Sequence, residues 1–270
     1  MTTQKKLTRP RAWFRGLMAL AAVTAACAGQ GGRELPVGWL RFMPVGEHPP
    51  FRQEVRNGAR YELEAPHGAR PPRHVTVGSG GEEGTQFEED ATLILGRLSR
   101  FVSVVPGEAR IVPKGAPAGD EGGPWHDLYV GAECRQWLAV MWRDERAGSW
   151  EKARHVLLPD DATSFAPGSI RFINTTPVRV SVRLGDQVIG LEPRSATVKR
   201  VGSGSVGLKV AVLDREGRWR KMYDGTVSQG TGDRTNVVVS VADGERPRKP
   251  VMVTTVRDRV PAPPVALTKK

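Results

Sequence analysis

Cysteine is nearly absent from this chain: Cys27 and Cys134 are the two in 270 residues. Cys27 falls in an N-terminal leader, which leaves Cys134 without an intramolecular partner, so the fold does not rest on a disulfide. Aromatic residues make up 6% of the chain, with three tyrosines, so the core must be mainly aliphatic. No apolar run approaches the roughly 18–20 residues that a membrane-spanning helix needs. The five histidines, His48, His67, His74, His126 and His155, never fall in H-x-x-x-H or H-E-x-x-H, and no C-x-x-C occurs. The common metal-ligand spacings are therefore missing, and neither a metal nor a cofactor is expected.

Catalytic motifs are also missing. Ser169, in Pro167-Gly168-Ser169-Ile170-Arg171, is not at a G-x-S-x-G elbow. Gly202 to Gly207 reads G-x-G-x-x-G by letter but joins two apparent strands, with no helix to receive a pyrophosphate. The acidic clusters Glu82-Glu83 and Glu88-Glu89-Asp90 read as solvated loops. A hydrolase of envelope polymers would need two such carboxylates facing across a cleft, which a sequence does not show. Cys134 reads as a small, partly buried residue and not as a nucleophile.

What is present is a β pattern. From Pro167 to Leu191, Val178, Val180, Val182 and Leu184 alternate with Arg179, Ser181 and Arg183. Alternate side chains on a strand point to opposite faces, so one face is apolar and the other basic, as in an antiparallel sheet with one wet side. Gly185-Asp186 then suits a type II′ hairpin turn. Upstream, Ile170 and Phe172 alternate with Arg171, and Asn174 to Pro177 reads as a turn. With 31 glycines and 21 prolines, short strands and turns recur along the chain, the pattern of sandwiches and small barrels.

The N-terminus has the form of a bacterial export signal: Lys5, Lys6, Arg9, Arg11 and Arg15, then a weakly apolar run to Ala26, then small residues. Thr24-Ala25-Ala26-Cys27 resembles a lipoprotein cleavage box, which would make Cys27 the lipidated first residue. Ala26-Cys27-Ala28 alternatively fits an A-x-A site with release into the periplasm or beyond. The net charge of +11 then loses five positive residues and falls to about +6, a moderate excess compatible with anionic envelope polymers. Export and this charge argue against a nucleic-acid partner, and contact with a membrane is expected only through a lipid on Cys27.

The chain divides into a signal peptide (1–28), a spacer and extended arm (29–72), a first β domain (73–166), a second β domain (167–258) and a Pro-rich disordered tail (259–270). The expected fold is all-β, with two tandem antiparallel β-sandwich-like, Ig-like domains. Within them Val102-Ser103-Val104, Gly107 and Ile111 match Val180-Ser181-Val182, Gly185 and Ile189 at one constant spacing. Gly131, Arg135, Val140 and Asp144 match Gly230, Arg234, Val239 and Asp243 at a longer one. This predicts a duplicated unit whose second copy carries an extra hairpin.

Two segments, Pro49-Pro50-Phe51-Arg52-Gln53-Glu54-Val55 with Arg60-Tyr61-Glu62-Leu63-Glu64 and Pro167-Gly168-Ser169-Ile170-Arg171-Phe172-Ile173-Asn174, together with the signal, resemble an uncharacterised group of exported bacterial β-sandwich-like proteins. The resemblance extends over most of the chain after residue 33 and implies no activity, cofactor or partner. The sequence reading is thus a non-enzymatic, envelope-associated binding or interaction module whose partner is another envelope protein or a surface polymer. The alternative is binding of a cell-wall or acidic polysaccharide, with exposed tryptophans stacking on sugars and arginines holding the charge. Trp142, Trp150, Trp219, Arg143, Arg179 and Arg183 are the candidate residues; Trp125 and Trp137 complete the tryptophans of the β region, and Trp137 and Trp219 have packing as the competing role.

Overall fold

Short alternating segments separated by Gly, Pro and Asn turns form strands, and every regular element among the described residues is one. The computed structural model describes residues 38–80, 87–115, 124–145, 148–214, 216–243 and 247–259. The signal, Cys27, the Gly-rich spacer, Glu82-Glu83, most of the 114–124 loop and nearly all of the tail lie outside them. The first half contributes β1 (Gly38–Pro44), β2 (Arg52–Arg56), β3 (Ala59–Leu63), β4 (His74–Ser79), β5 (Phe87–Thr92), β6 (Val102–Val104), β7 (Gly107–Pro113), β8 (His126–Val130), β9 (Gln136–Asp144) and β10 (Ser149–Pro159). The second contributes β11 (Ser169–Asn174), β12 (Val180–Leu184), β13 (Gln187–Leu191), β14 (Ser195–Arg200), β15 (Gly204–Leu213), β16 (Trp219–Gln229), β17 (Asp233–Val241) and β18 (Val251–Arg259).

Four four-stranded sheets stack as layers. The outer sheets run β5-β4-β7-β8 and β13-β12-β15-β16; the inner sheets run β10-β9-β1-β6 and β18-β17-β11-β14. Three apolar clusters fill the gaps between layers. Val75, Val77, Ile111 and Leu128 meet Leu40, Phe42, Ala139 and Met141 in the first. Val180, Val182, Leu208 and Val210 meet Ile170, Phe172, Val237 and Val239 in the second. Between the inner sheets, Met43, Leu138 and Val140 meet Ile173, Val238 and Val256. Strands β1, β9, β11 and β17 are therefore covered on both faces, which is why Gln136–Trp142 and Asn236–Val241 read as nearly unbroken apolar runs.

Several sequence expectations change here. The inner sheets are mixed, not antiparallel: β1 runs parallel to β9, and β11 parallel to β17. Arg171, which alternation placed on a wet face, is buried, because a second sheet covers that side. The arm 29–72 contains β1, hydrogen-bonded between β6 and β9 at the centre of an inner sheet. Val178 precedes β12 and is exposed, whereas Val180, Val182 and Leu184 are buried as expected. Glu88-Glu89-Asp90 lie on β5 and not in a loop. The repeat matches are displaced. β6 edges an inner sheet while β12 lies within an outer one. Val140 faces the inter-sheet core and Val239 the second sandwich core. A one-residue slip of register exchanges faces in this way.

Two of the hairpin turns show how local backbone chemistry sets them. Gly185 has φ +56° while Asp186 does not take a positive φ, as a type II′ turn requires. Asn57 and Gly58 both have positive φ, 51° and 77°, the type I′ signature, and they join β2 to β3. That two-stranded ribbon hydrogen-bonds to no other strand among the described residues. It holds Val55 and Tyr61 at 64% and 52% exposure, and Phe51 just before it is 66% exposed.

Candidate functional site

The second outer sheet has one face on the core and one in water, and the solvent face collects three of the six candidate residues. Alternation puts Ser181 and Arg183 of β12, Val188 and Gly190 of β13, Lys209 and Ala211 of β15, and Asp224 of β16 on that side. The ladders align them in rows: Val188, Arg183, Lys209 and Asp224 in one, Gly190, Ser181, Ala211 and Lys221 in the next. Trp219, 52% exposed, follows beside Leu213, whose backbone N–H donates to the Arg179 carbonyl. Strand spacing sets Trp219 about 10 Å across the sheet from the β12 line that carries Arg183.

The charges on this face are unevenly matched. Arg179 forms a bidentate pair with Glu192, which raises the guanidinium pKa and lowers that of the carboxyl, chiefly through the hydrogen bond. Lys209 and Lys221 share Asp224, at 3.8 and 3.0 Å. Arg183 donates Nε to the Gly185 carbonyl at 3.3 Å, and no carboxylate among the described residues lies within ion-pair distance of it. Arg183 and Lys209 are direct cross-strand partners. Like charges so placed repel, with Cβ atoms about 5 Å apart. Together with Gly185, Asp186 and Gly207 they line a shallow depression of about 280 Å³. A larger open cleft of about 630 Å³ sets Arg248 and Lys249 against Glu47 and Asp243, so its charge is mixed.

The other candidates lie elsewhere. Trp150 is buried in the first core and Trp142 in the layer between the inner sheets, so neither offers a ring face to a sugar. Both indole nitrogens lack a partner among the described residues. Trp137 is in the first core and donates Nε1 to the Cys134 and Gly131 carbonyls. Arg143 pairs with Asp243 at 2.7 Å. Cys134 donates its thiol to Asp161 at 3.0 Å; burial and that carboxylate push its pKa up, so it remains a thiol.

Two polar clusters had no sequence signal. His126 Nε2 and His155 Nδ1 lie 2.7 Å apart, on β8 and β10 of different sheets. Burial, then repulsion by His155, lowers His126 to about 4, and burial lowers His155 as well. Between the inner sheets, Arg41, Arg171 and Arg234 surround Asp160, which is fully buried. Arg41 also reaches Asp258 at 2.5 Å and Arg234 reaches it at 3.0 Å. Burial pushes Asp160 up while Arg41, Arg234 and Arg171 pull against it. Burial brings Arg171 down to about 10, with Asp160 opposing and the other two guanidiniums adding to the fall. Phe165 carries Arg171 and Arg234 on its ring, at 4.0 and 5.0 Å.

No protein-family model and no curated protein matches the chain. Among solved structures, it has a likeness to the membrane pore complex of pneumolysin, at 8% identity and a TM-score of 0.23. The match covers 69% of this chain and 45% of the other. So low a score supports neither a fold nor a function.

Proposed function

We propose that this chain is a non-enzymatic, envelope-associated binding module that takes an acidic surface polysaccharide on the solvent face of its second outer sheet. The observation that carries the reading is the direct opposition of Arg183 and Lys209. Two cations held side by side cost stability, and an anionic group bridging them relieves the repulsion. Trp219 at the same face supplies an aromatic plane for a sugar ring, while Gly190, Ser181 and Ala211 keep the surface between low. Export through residues 1–28, with a lipid on Cys27 or release after the A-x-A site, belongs to this proposal, as does membership of an exported bacterial β-sandwich group. So does the absence of nucleic-acid and direct membrane partners.

The proposal includes two tandem Ig-like units. Its support is the common strand plan: each half supplies an inner sheet centred on a parallel pair, and an outer antiparallel sheet of four. Reading along the chain, β1 and β4 to β10 take the places that β11 and β12 to β18 take in the second half. The β2–β3 ribbon is then an insertion in the first unit, and not an extra hairpin in the second.

The test is titration of the purified protein with peptidoglycan fragments and acidic polysaccharides, read by tryptophan fluorescence and calorimetry. Binding that weakens with salt and with the double variant Arg183→Glu, Lys209→Glu is expected. A flat response to every polymer removes the reading. A second reading, contact with an envelope protein, is favoured by the exposed Phe51 beside the ribbon and by Val55 and Tyr61 on its two faces. Pull-down from intact envelopes with and without the ribbon distinguishes it.

A further inference from the structure

We propose that the layer between the two inner sheets holds a small monovalent anion of chloride size, bound by Arg171 and Asn236. The buried cluster contains three guanidiniums, Arg41, Arg171 and Arg234, and two carboxylates, Asp160 and Asp258, so one positive charge is in surplus. The surplus is localised. Arg41 is held by both carboxylates, at 2.6 and 2.5 Å, and Arg234 touches both as well, at 3.3 and 3.0 Å. Arg171 reaches one carboxylate, Asp160, at 3.4 Å, with the Pro159 carbonyl at 2.7 Å and the Phe165 ring beside its guanidinium. Its Nη1 is buried with no hydrogen-bond partner among the described residues.

The ladder partners of Arg41 on β1 and Arg171 on β11 differ in the same sense. Arg41 pairs in register with Leu138 on the parallel strand β9, and Arg171 with Asn236 on β17. Asn236 is fully buried, and both its amide nitrogen and its amide oxygen lack hydrogen-bond partners among the described residues. A polar side chain thus stands beside the under-compensated arginine, at the ladder position where its counterpart is apolar. Guanidinium Nη1–H and amide Nδ2–H are both donors, and an unpaired buried charge is among the costliest arrangements in a protein. A water accepting from Nη1 and Nδ2 would leave the charge uncompensated; an anion on the two donors cancels it.

The test uses the full chain. Protein in gluconate buffer is unfolded with urea while chloride replaces gluconate at constant ionic strength. Wild-type stability is expected to rise with chloride, the folding equilibrium shifting about 100-fold when chloride reaches one hundred times its Kd. Asn236→Leu, which copies Leu138, and Arg171→Met, which removes the surplus charge, are expected to lose the dependence. Wild-type crystals grown with bromide need no variant: an anomalous peak is expected within hydrogen-bond distance of Arg171 Nη1. Insensitivity of the wild type to chloride, or a non-anomalous water at that position, overturns the proposal.

Discussion

Arg183 and Lys209 stand directly opposite each other on β12 and β15, two cations on one exposed patch. A pair of this kind opposes folding, so Arg183→Ser is expected to raise stability by about 0.2–1 kcal/mol in urea unfolding. The same substitution is expected to weaken binding of an acidic polysaccharide. A variant that gains stability and keeps its affinity would show that the patch is not the binding surface.

Trp219 is the one candidate tryptophan that presents itself to solvent. Stacking of an aromatic ring contributes about 0.5–1.5 kcal/mol, so Trp219→Ala is expected to weaken sugar binding about 2- to 10-fold. Trp150→Ala would instead act on stability, by about 3–5 kcal/mol, since that side chain fills the first core. Calorimetric titration of each variant, with its urea midpoint, separates the two effects.

Asp160 is the carboxylate on which three guanidiniums converge. Asp160→Asn leaves them with Asp258 alone and is expected to destabilise the fold by about 3–5 kcal/mol. Asp258→Asn should cost less, because Asp258 retains some contact with water. Urea unfolding of both variants gives the order.

The His126–His155 pair predicts acid sensitivity. The unfolded chain takes up a proton on His126 near 6.5, whereas the folded chain resists until about 4. Between those values the unfolded state binds more protons, so stability falls as pH drops from about 6.5 to 4 and levels off below. Allowing for the pair's partial exposure, the loss is about 1–2 kcal/mol. His126→Asn should flatten that part of a stability–pH profile; an unchanged slope would assign it to other groups.

The β2–β3 ribbon pairs with no other strand among the described residues. Replacement of residues 52–63 by a short Gly/Ser linker is expected to leave global stability within about 0.5 kcal/mol. It should abolish capture of an envelope protein if the ribbon is the contact. A large fall in the urea midpoint would mean that the ribbon supports a core.

Much of the β architecture was legible because it is local. Val180, Val182 and Leu184 face the core, with Arg183 opposite, as alternation requires, and Gly185 turns the hairpin through its positive φ. Asn57-Gly58 carries an equally strong hairpin signal, since both residues accept a positive φ. The burial of Arg171 and Trp142 is not local. Alternation tells which residues share a face, but not whether a second sheet lies over it.

The sequence by itself determined that the chain is all-β, where most turns fall, and which residues share a side of each strand, because these follow from side-chain period and glycine dihedrals. The tertiary structure decided the rest: the parallel pairing of β1 with β9 and β11 with β17, the burial of Arg41, Arg171 and Arg234 around Asp160, and the meeting of His126 with His155. Those contacts join residues far apart in the chain. Which distant strands pair, and which sheet face becomes an interior, is settled by the burial of whole layers and not by any local pattern.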